Sequence, residues 1–335
     1  MVGVALVGAG NWGANWLRTL AALPGADLRW CCDLDPALRQ SIVNRYPAVR
    51  PTADLDDLLR DPDVKGVVIA APAPTHAKLA HRALAAGKDV LVEKPMALTA
   101  AEPIDLARAA DAGQRVLMVG HLMEYHPALP ALRRMIDDGT VGAVRRIESR
   151  RSNHGVLRTD ENAWWSLAPH DISMALRLMG DWPAAVRCDG QCVVQPAVAD
   201  VVGAAIRFPG DRVARIDVSW HDMTKVRQLK LYGTRRWVLF DDMQPWERKV
   251  TAYDRGFDVT PAGVRTRAGA AEVVPLDPTE PLVAEARHFV ECVRTRARPL
   301  SDGWAGAAVV AVLEVGQESL LAGRELPIPR PPGAG

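Results

Sequence analysis

The stretch Val2–Gly13, VGVALVGAGNWG, constrains this chain more than any other. Val4, Leu6 and Val7 belong to a short β-branched and aliphatic run, the pattern of a buried strand in a parallel sheet. The run breaks into Gly8-Ala9-Gly10-Asn11-Trp12-Gly13. Behind it, Trp16, Leu17, Leu20 and Leu23 recur at helical spacing before Pro24-Gly25 stops the helix. A glycine-rich turn between strand and helix has a specific use. Gly8 permits the tight turn, Gly10 lets the backbone approach a pyrophosphate, and Gly13 lets helix and strand pack closely. The helix start, with Asn11 and Trp12 in the turn before it, offers free N–H groups and a positive dipole end to phosphates.

A lone G-x-G-x-x-G is common in ordinary turns, so its continuation carries the weight. A second strand, Ala26–Cys32, ends at Asp33, about 20 residues past the loop, where a carboxylate accepts from both adenosine ribose hydroxyls. The competing reading makes Asp33 a cap for the helix opening at Pro36. Leu34 and Asp35 follow, with no Arg or Ser to hold a 2′-phosphate, which favours NAD over NADP.

The 335 residues are enough for two domains, and 48% apolar content describes a packed chain. A net charge of +1 gives no electrostatic case for nucleic acid or an anionic membrane. Arg145-Arg146 and Arg150-Arg151 read as a solvated edge or a contact for an anionic substrate. The five cysteines, at 31, 32, 188, 192 and 292, have no metal-ligand spacing, so no metal is expected and reduced core thiols are the simplest account. The chain begins directly with its first strand, leaving no room for a signal peptide, and no apolar run reaches the roughly 20 residues of a membrane helix. A soluble cytoplasmic protein with a small-molecule substrate is expected.

Through residue 120 strand and helix alternate: helices at 54–60, 75–86 and 99–112, strands at 66–71, 89–92 and 115–119. This implies βαβ units and a parallel sheet, with ligands at the carboxyl ends of the strands. Gly8, Asp33, Ala71-Pro72, Glu93-Lys94-Pro95 and Gly120-His121 all fall there. Later the spacing predicts helices at 127–138 and 168–179, with Pro169 in a first turn. Strands follow at 143–152, 184–195, 201–208, 212–220, 226–233 and 236–241, and two helices at 281–296 and 303–322. The tail 327–335 is expected to fray. The fold class is therefore α/β: a dinucleotide-binding domain over 1–122, then an α+β domain over 123–335 with a large, open, mostly antiparallel sheet. The last helices are expected to pack back on the first domain. Strands between about 184 and 241 leave one polar-leaning face uncovered, which predicts a homodimer or homotetramer.

The GAGNWG loop, Asp33, APAPTH at 71–76, EKP at 93–95 and APHDI at 168–172 together resemble the Gfo/Idh/MocA family of sugar and cyclitol dehydrogenases. The resemblance covers nearly the whole chain. It implies that the EKP proline turns beside the nicotinamide, that its lysine reaches substrate, and that a helix of the second domain supplies an Asp-x-x-x-His pair. GHLMEYHPAL at 120–129, SLAPHDIS at 166–173 and SWHDMTKVR at 219–227 are similar to the branch acting on nucleotide-linked sugars. The chain departs from the family at Ser166, four residues before His170, where Asp usually stands; neighbouring Asp171 is the available replacement.

Moving a hydride from a carbinol carbon requires a base for the hydroxyl proton and a cation for developing alkoxide character. Lys94, set in an apolar strand end, suits the cation role. His170 suits the base, and a first-turn position would keep it neutral. His76 falls in the APAPTH stretch assigned to the cofactor, although His76, His121, His126 and His154 read first as packed or capping residues. His121 and His126 follow the last strand of the parallel series and are placed to line the nicotinamide-side mouth. Tyr125 is an alternative proton donor, Asn153 a further substrate contact, and Trp164-Trp165 either wall the sugar or pack. The leading function is an NAD-dependent dehydrogenase or ketoreductase on a sugar. The alternatives are a redox-neutral glycosidase or epimerase retaining NAD, and a sensor without catalysis, against which Lys94 argues.

Overall fold

The computed structural model describes residues 1–155, 157–159 and 161–331. The chain divides into two compact units, residues 1–125 with 280–310, and residues 126–279 with 311–330.

In the first unit, β1 (Val2–Val7), β2 (Ala26–Cys32), β3 (Arg50–Thr52), β4 (Val64–Ile69), β5 (Asp89–Glu93) and β6 (Leu117–Gly120) form a parallel sheet ordered β3-β2-β1-β4-β5-β6. The connecting helices are α1 (Gly13–Ala22), α2 (Pro36–Arg45), α3 (Leu55–Arg60), α4 (His76–Ala85) and α5 (Ala101–Ala112). Strands β1, β4, β5 and β6 are mostly apolar because both faces are covered. Val4, Leu6, Val68, Leu91 and Met118 enter one core, whereas Ala5, Val7, Val67, Ile69, Val90 and Val92 enter the other. The strand order reverses between β1 and β4, which opens a crevice at their carboxyl ends. Cys31 and Cys32 lie in opposite cores, as adjacent strand residues must.

In the second unit, α6 (Ala128–Asp137) leads into β7 (Val144–His154), α7 (Ala163–Met179), β8 (Ala185–Gln191), β9 (Val201–Phe208), β10 (Arg212–Ser219), β11 (His221–Gly233), β12 (Trp237–Asp241), β13 (Val250–Thr260) and β14 (Gly263–Val273). These strands form a nine-stranded sheet ordered β14-β13-β12-β11-β7-β10-β9-β8-β15, in which β15 (Leu326–Pro327) completes the edge. Among the described residues of this sheet, only β7 with β10 pairs in parallel. In β10, Ala214, Ile216 and Val218 are buried, while Arg215 and Asp217 point outward. The hairpin β13–β14 escaped the sequence reading because most of its side chains are exposed on both faces, so no apolar alternation marks it.

The two closing helices are α8 (Pro281–Thr295) and α9 (Gly303–Ala322). Leu282, Ala286 and Phe289 of α8 join the core that holds Leu6 and Trp16, and a Cβ on Gly66 would stand 3.0 Å from the Phe289 ring. The chain thus returns to its first unit over residues 280–310, while residues 311–330, which include the second half of α9, belong to the second unit. α9 is, by length and composition, apolar enough to cross a membrane, and 61% of its apolar window is buried in the fold. This corrects the expectation of no such run; a buried core helix passes the same composition test. The tail is also more ordered than expected. Pro327 pairs with Ala185, and the Ile328 N–H donates to the Ala184 carbonyl at 3.0 Å. Residues 332–335 lie outside the described residues.

Candidate active site

The glycine loop behaves as its sequence requires. Gly8 has φ +91°, and a Cβ on it would lie 2.7 Å from the Ala70 carbonyl group. A Cβ on Gly13 would come within 2.1 Å of the Gly8 oxygen, so α1 can approach β1 only without one. At Gly10 a Cβ would meet nothing within 4 Å, which leaves the space a pyrophosphate needs. Asp33 ends β2 beside this loop. Its Oδ2 accepts from the Ala9 N–H at 2.7 Å and its Oδ1 from the Asp35 N–H at 2.9 Å. Asp35 is the residue that caps α2, accepting from the Ala37 N–H, so the capping reading of Asp33 is set aside. Each Asp33 oxygen keeps a lone pair for a ribose hydroxyl. The residues present thus fit a dinucleotide.

Glu93 joins the loop to the EKP segment. Its Oε1 accepts from the Trp16 indole N–H at 2.7 Å and also from the Trp12 indole, while its Oε2 accepts from the Lys94 N–H at 3.2 Å. Burial pushes this carboxyl up, and the two indoles and the Lys94 charge pull it back. Glu93 is therefore a buried tie, not a surface contact for cofactor. His76 makes a second tie: its ring nitrogens stand 2.8 Å from the carbonyl oxygens of Pro95 and Ala71. Pro72 is exposed beside Ala71, and the Lys94–Pro95 peptide is cis. Lys94 itself is half-buried at the end of β5.

His121 follows β6 and is buried, with neither ring nitrogen hydrogen-bonded among the described residues. Burial, with the nearby Lys94 charge, pushes its imidazole down to about 3, so it is neutral. Tyr125 corrects an expectation. Its side chain is buried, and because the Ser301 hydroxyl already donates to the Val119 carbonyl at 2.7 Å, the Tyr125 hydroxyl must donate to Ser301 at 2.8 Å. Burial and the neighbouring Glu285 raise its pKa, which disfavours proton donation.

The second unit carries the remaining candidates. α7 starts at Ala163, capped by Asn162 through the Trp165 N–H, so Pro169 lies inside the helix and not at its start. His170 therefore sits mid-helix, half-buried, and the expected influence of the dipole is absent there. Ser166 is buried one turn earlier, and Trp165 is half-buried. Trp164 packs, with no exposure and its indole donating to the Leu313 carbonyl at 2.9 Å. Asp171 does not replace the missing family carboxylate. It is 1% exposed, accepts from Arg151 Nε at 2.7 Å and is also bonded by the Ser149 hydroxyl. One helical step turns it about 100° away from His170, toward β7. Asn153, two residues past Arg151 on β7, keeps a buried Oδ1 with no hydrogen-bond partner among the described residues. His126 is buried against Phe240 and Trp246, near Asp242 at 3.3 Å, and belongs to this unit's core rather than to the mouth of a cofactor crevice. Among the described residues no group of His, Cys, Asp and Glu could hold a metal ion, and Cys192 is the exposed exception among the thiols.

The profile of an oxidoreductase family with an NAD-binding Rossmann fold matches residues 2–121, and that of the GFO/IDH/MocA C-terminal domain matches residues 130–239. The chain belongs to the Gfo/Idh/MocA family. Within that family, inositol 2-dehydrogenase of Acidothermus cellulolyticus is 36% identical over 76% of this chain and 77% of its own length. UDP-N-acetylglucosamine 3-dehydrogenase of Acidithiobacillus ferrooxidans is 29% identical over 91% of this chain and 93% of its own length. The solved structure of GenD2 from gentamicin A biosynthesis, in complex with NAD, superposes with a TM-score of 0.82 at 26% identity, covering 98% of this chain and 97% of that one. As a family member, the chain is an oxidoreductase with an NAD-binding Rossmann domain.

Sequence reasoning missed Glu285 of α8, a carboxyl with no exposure whose two oxygens have no partner among the described residues. Burial, reinforced by Glu93, raises its pKa well above 4.5. A lone Glu at a helical core position was the available signal. Unfolded, Glu285 ionises near its ordinary value; folded, it keeps its proton to higher pH. Folding then takes up a proton between those values, so stability is greatest below the unfolded pKa and falls as pH rises. Glu285→Gln, which has no proton to take up on folding, should remove this slope and be more stable than the parent at neutral pH. Urea unfolding at several pH values checks this, and identical slopes in both proteins would refute it.

Proposed function

We propose that this protein is an NAD-dependent dehydrogenase acting on a secondary hydroxyl of a sugar, one linked to a nucleotide, or on the matching ketone in reverse. The observation that carries the reading is the EKP strap: Lys94 leaves the carboxyl end of β5 while Glu93 ties the same strap to the glycine loop through Trp12 and Trp16. A group held by that loop is thereby linked to a lysine ammonium. The kinship with a UDP-N-acetylglucosamine 3-dehydrogenase over nearly the full chain supports the nucleotide-linked class.

When bound, the nicotinamide supplies the hydride acceptor or donor. The remaining work falls to the chain. Gly8–Gly13 hold the phosphates, and Asp33 accepts from the adenosine ribose. Lys94 stabilises alkoxide character at the reacting oxygen, and His170 takes the hydroxyl proton. Neutral His121, unpartnered and buried beside the lysine, offers a hydrogen bond at the nicotinamide side without competing as a base at neutral pH. Asn153 and Ser166 offer hydrogen bonds to sugar hydroxyls. In the second unit, the outward face of the sheet carries Arg146, Arg150, Arg215 and Asp217 among half-buried Tyr232 and Trp237, a surface suited to a second copy of this chain.

Three outcomes test this reading. Lys94→Ala should lower kcat by about 10²- to 10⁴-fold with NAD affinity unchanged, while His170→Asn should lower kcat and flatten the acidic limb of kcat/KM. Near-normal turnover in Lys94→Ala, read from reduced-nicotinamide absorbance, would remove the lysine from the chemistry. NAD should bind at least about tenfold tighter than NADP because the Asp33 carboxylate repels a 2′-phosphate, and equal affinities by titration would contradict that. Light scattering at micromolar protein should give a dimer or tetramer; a monomeric mass would refute the assembly.

A further inference from the structure

On the face of the second sheet that carries α7, two arginines stand directly opposite each other. Arg227 of β11 pairs with Arg151 of β7, and in an antiparallel pair opposed side chains share a face. Like charges so placed repel, and the arrangement persists only where something offsets it. For Arg151 the offset is complete, since the buried Asp171 takes its Nε at 2.7 Å and a second nitrogen at 3.4 Å. Arg227 has no such partner. Its guanidinium donates no hydrogen bond among the described residues, and its ion pair with the Asp242 carboxylate is a loose one at 3.9 Å.

Asp242 is also committed elsewhere. Lys249 Nζ lies 2.6 Å from its Oδ1, and His126 Nε2 lies 3.3 Å from the same oxygen. The pairs Arg151–Asp171 and Lys249–Asp242 thus cancel, leaving Arg227 as the excess cation. Its side chain is 40% exposed, so it can be reached, yet its surroundings and the Arg151 charge disfavour its charged form. An accessible, partly desolvated guanidinium with its planar donor fork uncommitted matches a carboxylate or phosphate oxygen pair. Two residues along β7 from Arg151, on the same face, Asn153 holds its unpartnered buried Oδ1, an acceptor for a hydroxyl donor. Asp171, which anchors Arg151 here, is next in sequence to His170.

We infer that Arg227 is a specificity-determining residue that binds an oxyanion of the substrate, with Asn153 accepting from a neighbouring hydroxyl. The substrate class is then a sugar bearing a carboxylate or a phosphate. The assignment rests on the dehydrogenase reading for which site the sugar enters, although its test does not require turnover. The protein saturated with NAD is titrated calorimetrically with glucuronate against glucose, and with uridine 5′-diphosphate against uridine. At least one anion should bind about tenfold or more tightly than its neutral counterpart; glucuronate prevailing puts the charge on the sugar, the diphosphate prevailing puts it on the nucleotide. Arg227→Met should abolish that preference while leaving the neutral probe's affinity unchanged, and Arg227→Lys should retain part of it. No anion preference in the unsubstituted protein, or one that survives in Arg227→Met, would overturn the assignment. Failure of hydride transfer with every sugar would instead sink the dehydrogenase reading and leave the binding preference standing.

Discussion

One buried carboxylate holds the first unit's chemistry in order. Glu93 accepts from the indoles of Trp12 and Trp16 and from the Lys94 backbone, so a single side chain joins the loop after β1 to the strap after β5. A buried carboxylate is tolerable only with such donors, and removing them would leave the cost of desolvation uncompensated. The space around it is equally committed: a Cβ on Gly120 would come within 2.8 Å of Glu93 Oε2. The strap is held from its other side by His76, through the carbonyl oxygens of Ala71 and Pro95. Lys94 thus leaves a backbone fixed at two points, which is the preorganisation that an electrostatic role at a reacting oxygen needs.

The first unit was largely legible because its signals are local. Strands buried on both faces write continuous apolar runs, and the loop glycines are demanded by contacts within a few residues of one another. The acid at the end of β2 also announced itself by spacing. What stayed hidden depends on partners distant in sequence. Asp171 looked available until its helical phase turned it toward Arg151, and Tyr125 looked like a proton donor until Ser301, 176 residues on, took its hydroxyl.

α7 illustrates a different limit. Pro169 reads as a helix start because proline suits the first turn, yet Asn162 nucleates the helix six residues before the expected start at Ala168 and the proline is carried inside. His170 therefore lies in the middle of α7, beyond the reach of the terminal dipole that a helix start at Ala168 would have given it. The β13–β14 hairpin was invisible for the opposite reason: with most side chains exposed, nothing in its pattern distinguishes strand from loop. Arg227 was unremarkable as a residue and acquires meaning only from the cross-strand register that sets it against Arg151.

The return of α8 to the first unit has a consequence for how the protein is made. Leu282, Ala286 and Phe289 complete the core that contains Leu6, Trp16 and Leu20. A ribosome releases the dinucleotide-binding strands long before it supplies that helix, so the face of the nascent sheet that α1 shares with α8 waits only partly covered while residues 126–279 of the second unit are synthesised. Because the first unit is assembled from separate segments of the chain, it cannot be excised as a continuous piece, and a gene fragment ending near residue 125 would encode a sheet lacking the α8 side chains that complete one of its two cores.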